Sequence, residues 1–100
     1  MIKHINLWKF KEDLSEEEKA SVRLGMKEAF ESLPGRISGM TSCVIRTEFG
    51  PASNADCMME CTFENMEALE AYRKNPLHTE IAVIKVRPYT IDRLGVDFEI

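Results

Sequence analysis

Between Ile2 and Lys11 the chain alternates so regularly that one backbone conformation suits it best. Ile2, His4, Asn6, Trp8 and Phe10 fall on one side of the alternation, Lys3, Ile5, Leu7 and Lys9 on the other. A period of two is that of a strand, whose successive side chains point to opposite faces of a sheet. Both sides carry apolar groups. Such a strand belongs in a sheet with at least one covered face, and the rest of the chain has to supply the cover.

The pattern breaks at Asp13, Leu14 and Ser15. Ser15 followed by Glu18 reads as a capping box, with Glu16 and Glu17 placed against the positive end of a helix dipole. Ala20, Val22, Leu24, Met26, Ala29, Phe30 and Leu33 then form a broad apolar stripe, and Pro34-Gly35 stops it, so a helix is expected over roughly 15–33. Val44, Ile45 and Thr47 mark a strand within Met40 to Phe49, and residues 50–54 are strong turn formers. Residues 56–63 form its hairpin partner. Asn65 caps a helix carrying Ala68, Leu69 and Tyr72, which ends near Asn75-Pro76. A short helix from Leu77 to about Val86, with Ile81, Ala82 and Val83 or Ile84 inward, is closed by Pro88. Ile91 to Ile100 reads as a last strand. The order β-α-β-β-α-β is the split βαβ arrangement of ferredoxin-like α+β domains: a four-stranded antiparallel sheet with both helices on one face.

That fold leaves the second face of the sheet bare. By parity, Ile5 and Leu7 are expected to meet the helices, while His4, Asn6, Trp8 and Phe10 take the bare face together with Cys57, Met59, Cys61 and Phe63. Register is the open quantity here. A patch holding Trp8, Phe10, Met59 and Phe63 exceeds what a soluble monomer usually exposes. Two copies packed sheet to sheet would bury it around a central cavity, so a homodimer is expected.

Composition agrees with one domain over residues 1–100. At 44% hydrophobic and 30% charged, the chain is neither disordered nor fibrous. A domain of this size buries only about two-thirds of its unfolded surface, yet it carries five Phe and six Met besides Trp8, apolar material better used by a two-chain unit. The net charge of −4 argues against nucleic acid as a partner. No apolar run approaches the length of a membrane span, and the alternating amino terminus is unlike a secretory signal. Three cysteines, an odd number, suit a reducing cytoplasm.

Few residues carry recognisable chemistry. Cys57 and Cys61 on one strand would stand roughly 13 Å apart, beyond disulfide reach of about 7 Å and beyond a shared zinc; they read as packing residues. His4 lies mid-strand on the proposed inner face, where an imidazole serves binding or proton transfer as readily as structure. His78 opens the short helix six residues after Tyr72, and on position alone both read as ordinary helix and turn residues. The glycines are scattered, so there is no phosphate loop, and no metal-ligand or cofactor motif occurs. No metal and no cofactor are expected.

Four segments in sequence carry a resemblance. Met1 to Lys11, Thr62 to Glu64, Ala68 to Tyr72 and Asn75 to His78, with Val96 to Glu99 closing the chain, together resemble the stress-responsive dimeric α/β-barrel (Dabb) family over residues 1–99. The resemblance implies a ferredoxin-like fold whose two protomers pack their sheets into a barrel. It also implies a stress-response setting, in which some plant members are induced and one forms large stable oligomers. One plant member is a polyketide cyclase. Its catalytic histidine and partner tyrosine match His78 and Tyr72, and its first-strand pocket histidine matches His4. The implied roles are His78 as general base on an acidic C–H and Tyr72 as its holder or as a carbonyl polariser. His4, Asn6, Trp8, Met26, Cys57 and Met59 would line a pocket for a small apolar or carbonyl-bearing ligand. Cys57 stands where the cyclase has a second pocket histidine and Met26 where it has a tyrosine, so this pocket is bulkier and differently shaped. The resemblance thus supports a ligand-binding barrel protein. The alternative is an enzyme of the dimeric-barrel type: a polyketide cyclase-like enzyme, a lyase or a cofactor-free monooxygenase.

Overall fold

The computed structural model describes residues 1–100 as β1 (Ile2–Phe10), α1 (Glu16–Glu31), β2 (Met40–Arg46), β3 (Cys57–Phe63), α2 (Met66–Lys74), α3 (Pro76–Ile81) and β4 (Thr90–Glu99). The strands form one antiparallel sheet in the order β2-β3-β1-β4, with the helices on one face, the ferredoxin-like arrangement that the element order implies. No helix is long and apolar enough to cross a membrane.

Local chemistry explains the boundaries. The Ser15 hydroxyl accepts from the Glu18 amide while the Glu18 carboxylate accepts from the Ser15 amide, so the capping box closes α1 at its start. Asn65 caps α2 through the Ala68 amide, and Asn75 caps α3 through the Leu77 amide. Strand β2 ends at Arg46, three residues short of the expected Phe49. On the other side of β3 the contact with β1 continues one residue further, where the Asp56 amide donates to the Trp8 carbonyl (2.9 Å) and its carboxylate accepts from the Phe10 amide (2.9 Å). After α3 the chain widens into a π-helical turn over Ala82–Val86, with the Arg87 amide donating to the Ala82 carbonyl. That extra residue per turn shifts the helical phase. Val86 is consequently buried, whereas Val83 and Ile84, of which one was expected inward, are exposed.

The two faces of the sheet are assigned opposite to the parity argument. His4, Asn6, Trp8 and Phe10 face the helices, as do Cys57, Met59, Cys61 and Phe63. The helices demand this arrangement. α1 presents Val22, Met26 and Phe30, and α2 presents Leu69 and Tyr72, all buried. Each such side chain gains about 1.5–3 kcal/mol by leaving water, and the larger set on β1 offers the larger surface to cover. Trp8 stacks on Phe30 with centroids 6.3 Å apart, and Arg23 lies over the Phe10 ring at 5.2 Å.

The bare face instead carries Ile5 and Leu7 of β1, opposite Val96 and Leu94 of β4, with Phe98 opposite Lys3. Leu94, Val96 and Phe98 are 67%, 52% and 44% exposed, an apolar row with no cover within the chain. Across β3 and β2 the same face turns polar, where Glu60 bridges Lys3 and Arg46. The unsatisfied face foreseen from the sequence therefore exists, but it is built from the odd positions of β1.

Gly39 joins sheet to helix. Its φ of +80° favours glycine, and a Cβ there would lie 2.5 Å from the Ala68 Cβ, so α2 can approach only because that atom is missing.

Candidate functional site

His4 occupies the middle of β1, flanked in register by Cys61 of β3 and Asp97 of β4. It is 3% exposed. Its Nδ1 is bonded to the Asp97 carboxylate, whose other oxygen accepts from Arg73 of α2. With Nδ1–H donating to Asp97, Nε2 is an acceptor and takes the Asn6 amide N–H at 3.4 Å. The Asn6 carbonyl in turn accepts from Arg93 at 3.2 Å. One continuous network thus runs from Arg93 through Asn6, His4 and Asp97 to Arg73, and every donor in it is consistent with a neutral imidazole.

Tyr72 lies between the two histidines. Its ring centroid is 6.1 Å from His4, edge to face, and 4.3 Å from His78, while Phe63 supports it at 5.1 Å. The Tyr72 hydroxyl points to the Met59 sulfur at 3.9 Å, so the contact with His78 is made by the rings. Asn75-Pro76 turns the chain between α2 and α3, and this turn brings His78 back onto Tyr72. His78 Nδ1 lies 3.3 Å from the Arg73 carbonyl; donating there leaves Nε2 as the basic nitrogen.

These groups border a cavity of about 500 Å³ between the sheet and α2, α3 and the π-helical turn. His4, Asn6, Trp8, Met59, Tyr72 and His78 all line it. Met26 and Cys57 do not: they are fully buried against each other behind it, sulfur to sulfur at 4.0 Å. Phe30 and Val86 extend the apolar wall. The cavity lies on the helical side of the sheet within one protomer rather than between two facing sheets, because the residues expected to enclose a shared interior face the helices.

Burial governs the electrostatics. Desolvation lowers the His4 pKa from its ordinary 6.5, against the raising effect of Asp97. Desolvation likewise lowers that of His78, with His4, Arg87 and Arg73 adding like-charge repulsion and the Arg73 carbonyl opposing. Burial pushes the Tyr72 hydroxyl up, beyond any physiological ionisation, and the Cys57 thiol to about 11. The site at neutral pH therefore holds two neutral imidazoles and a protonated phenol. A histidine whose pKa is depressed by folding binds its proton more readily when unfolded, so stability falls as pH drops below about 6.5. The melting temperature should decline between pH 7.5 and 5.5, and His78→Gln should remove part of that slope in a thermal-melt series.

Cys43 and Cys61 are cross-strand neighbours, Sγ to Sγ 3.0 Å, both buried thiols. Sequence spacing drew attention to Cys57 and Cys61; the closer pair is formed by register instead. Register also brings in Asp97 and Arg93 of β4, and α2 lays Arg73 over Asp97; sequence reading missed all three. One signal was present: in Val96 to Glu99 the parity that exposes Val96 and Phe98 sends Asp97 to the other face, beside His4.

The whole architecture recurs in solved structures. A dimeric protein of unknown function with a ferredoxin-like fold from Bacteroides fragilis is 29% identical, with 99% of this chain and 95% of that chain covered and a TM-score of 0.90. A Dabb family protein from Mesorhizobium loti is 17% identical over 98% and 94% of the two chains, TM-score 0.76. The hydroxynitrile lyase from Passiflora edulis shares the fold at 17% identity over 99% and 92%, TM-score 0.74. No curated protein matches the sequence. The profile of the Stress responsive A/B Barrel Domain (Dabb) matches residues 2–100, nearly the full length. The chain belongs to the stress-responsive A/B barrel domain family.

Proposed function

We propose that the protein is a homodimer, joined through the bare sheet face, in which each protomer binds a small apolar or carbonyl-bearing molecule in its own cavity. The observation that carries this reading is the convergence of His4, Asn6, Tyr72 and His78 on a cavity of about 500 Å³ whose apolar wall includes Trp8, Phe30, Met59 and Val86. That size suits a small organic ligand, and a few convergent polar groups among apolar walls are what such sites use for orientation. The dimeric state of the Bacteroides fragilis neighbour supports the assembly. The cellular role is read as stress response, after the family description, and the cytoplasm as its location, after the three free, buried cysteines.

A second reading is favoured by the His78 geometry. With Nδ1 tied to the Arg73 carbonyl and the ring held against Tyr72, Nε2 is a neutral, positioned base. It would accept the proton of a C–H next to a carbonyl, giving an enolate and an imidazolium, the opening step of a cyclase-like or lyase reaction. The lyase activity of the Passiflora edulis neighbour supports such chemistry at the level of the fold.

Both readings are tested with 4-phenyl-2-butanone. Saturable change in the emission of Trp8, the single tryptophan, is expected as it binds; no saturation up to its solubility limit would sink the cavity reading. For the base, α-proton exchange into D2O is followed by NMR. His78→Ala should slow catalysed exchange by about 10²–10⁴-fold with the dimer intact. An unchanged rate removes His78 as the base, and loss of folding would mark it as structural.

A further inference from the structure

The cavity has an apolar floor and a cationic mouth. Arg73, Arg87 and Arg93 line it, three of the chain's six arginines, although the chain as a whole carries a net charge of −4. None of the seven lysines does. The three arginines are not equivalent. Arg73 is neutralised by Asp97 and Glu70. Arg87 and Arg93 have no carboxylate within ion-pair distance anywhere in the protein. Both are solvent-exposed at the rim, while His4 and Tyr72 lie deep. The acid of the lining is Asp92, itself without an ion pair.

Arg93 is held over the opening by a feature of the backbone. Its guanidinium reaches across Gly95 to the Asn6 carbonyl at 3.2 Å. A Cβ at Gly95 would lie 2.8 Å from that same Asn6 oxygen and 3.1 Å from the Arg93 nitrogen. A mid-strand glycine, otherwise a poor strand residue, is what lets the arginine cross the strand. The adjoining Asp92 adopts a φ of +52°, a left-handed conformation uncommon outside glycine, at the same rim.

We propose that the molecule bound in this cavity is a carboxylate monoanion with an apolar body, its carboxylate held at the mouth by Arg87 and Arg93. This rests on the cavity being a ligand site and names the ligand's class. Guanidinium groups match the planar, two-oxygen carboxylate in a way that an ammonium does not. Two unpaired guanidiniums against the single Asp92 leave a surplus of one positive charge, which suits a monoanion better than a phosphate dianion. The apolar body would lie against Trp8, Phe30 and Met59, and any carbonyl along it would come within the polar groups deeper in.

The test uses 4-phenylbutyrate, its methyl ester and 3-phenylpropyl phosphate, titrated against Trp8 emission and by calorimetry. 4-Phenylbutyrate should bind about tenfold tighter than the ester. Arg87→Gln, which breaks no hydrogen bond within the chain, should weaken the acid about tenfold and leave the ester and the melting temperature unchanged. Arg93→Gln should weaken the acid at least as much and also lower the melting temperature, since it takes the donor from the buried Asn6 carbonyl. Arg36→Gln, in the turn after α1 and outside the cavity lining, should change the binding of neither. Raising salt from 50 to 500 mM should weaken the acid alone. Equal binding of acid and ester, unaffected by either substitution, would overturn the carboxylate assignment while leaving a neutral-ligand cavity intact. Tighter binding of the phosphate would also overturn it, in favour of a dianion site. Absence of binding by all three, and by 4-phenyl-2-butanone, would bring down the cavity reading and this inference with it.

Discussion

Val96→Glu is expected to divide the proposed dimer into folded monomers. Val96 lies at the centre of the exposed row Leu94, Val96 and Phe98, beside Ile5 on the neighbouring strand, and it touches nothing in its own helical core. A carboxylate placed there costs the monomer little, since the position is 52% exposed. In a two-fold interface the same change appears twice, and two unpaired carboxylates are buried among apolar side chains. Each such charge costs several kcal/mol unless it finds a partner. At about 1.4 kcal/mol per tenfold, the dissociation constant should rise by at least about a thousandfold. Sedimentation velocity across a concentration series reads this directly, with the circular dichroism spectrum unchanged. Val96→Glu that still sediments as wild type would place the interface elsewhere.

The second large effect concerns Tyr72, where packing and chemistry separate cleanly. Its ring is 1% exposed and touches His4, Phe63 and His78, so truncation to Ala empties the centre of the site. Tyr72→Ala should cost about 3–5 kcal/mol, the range for deleting a buried aromatic ring. That is a large share of the stability of a small domain. Tyr72→Phe removes only a hydroxyl whose partner is a thioether sulfur at 3.9 Å. The change in stability should therefore stay within about 1 kcal/mol. Urea denaturation of the two variants measures the contrast. If Tyr72→Phe also lost several kcal/mol, the hydroxyl would hold a structural role that its surroundings do not suggest.

Much of the fold was legible because its signals are local. Ser15 with Glu18 and Asn65 ahead of Ala68 set helix starts by chemistry within four residues, and the structure agrees; Asn75-Pro76, expected to end a helix, ends α2 and also caps and opens α3. Alternation in β1 identified a strand for the same reason. Which face went inward was not local. Both parities of β1 carry apolar groups, and the choice depends on what α1 and α2 present, namely Met26, Phe30 and Tyr72 across the sheet. The clue lay in β4, where Leu94, Val96 and Phe98 share one parity and Gly95 and Asp97 the other. Only the second set could sit beside His4 and Asn6 without burying the first under the helices. The π-helical turn was invisible because nothing in Ala82 to Val86 departs from an ordinary helical sequence. Among the site residues, His4, Tyr72 and His78 were singled out by type and resemblance, and the structure places them side by side. Asp97 and Arg93 join them through strand register, a long-range property that composition and spacing do not carry.

The observed assignment of the faces changes what the proposed dimer is for. If Trp8, Phe10, Met59 and Phe63 lined a shared interior, assembly and ligand binding would be one event. With those residues under the helices, the protomer has its own core and its own cavity, and the bare face with Ile5, Leu7, Leu94, Val96 and Phe98 is left for a second copy. Burying such a row is the ordinary reason for two chains to associate. The most direct measurement is the mass of the native protein by light scattering at micromolar concentration. A homodimer has twice the 11.5 kDa of a single chain, and that mass is expected. A mass equal to one chain, with the apolar row of β4 left in water, would contradict it.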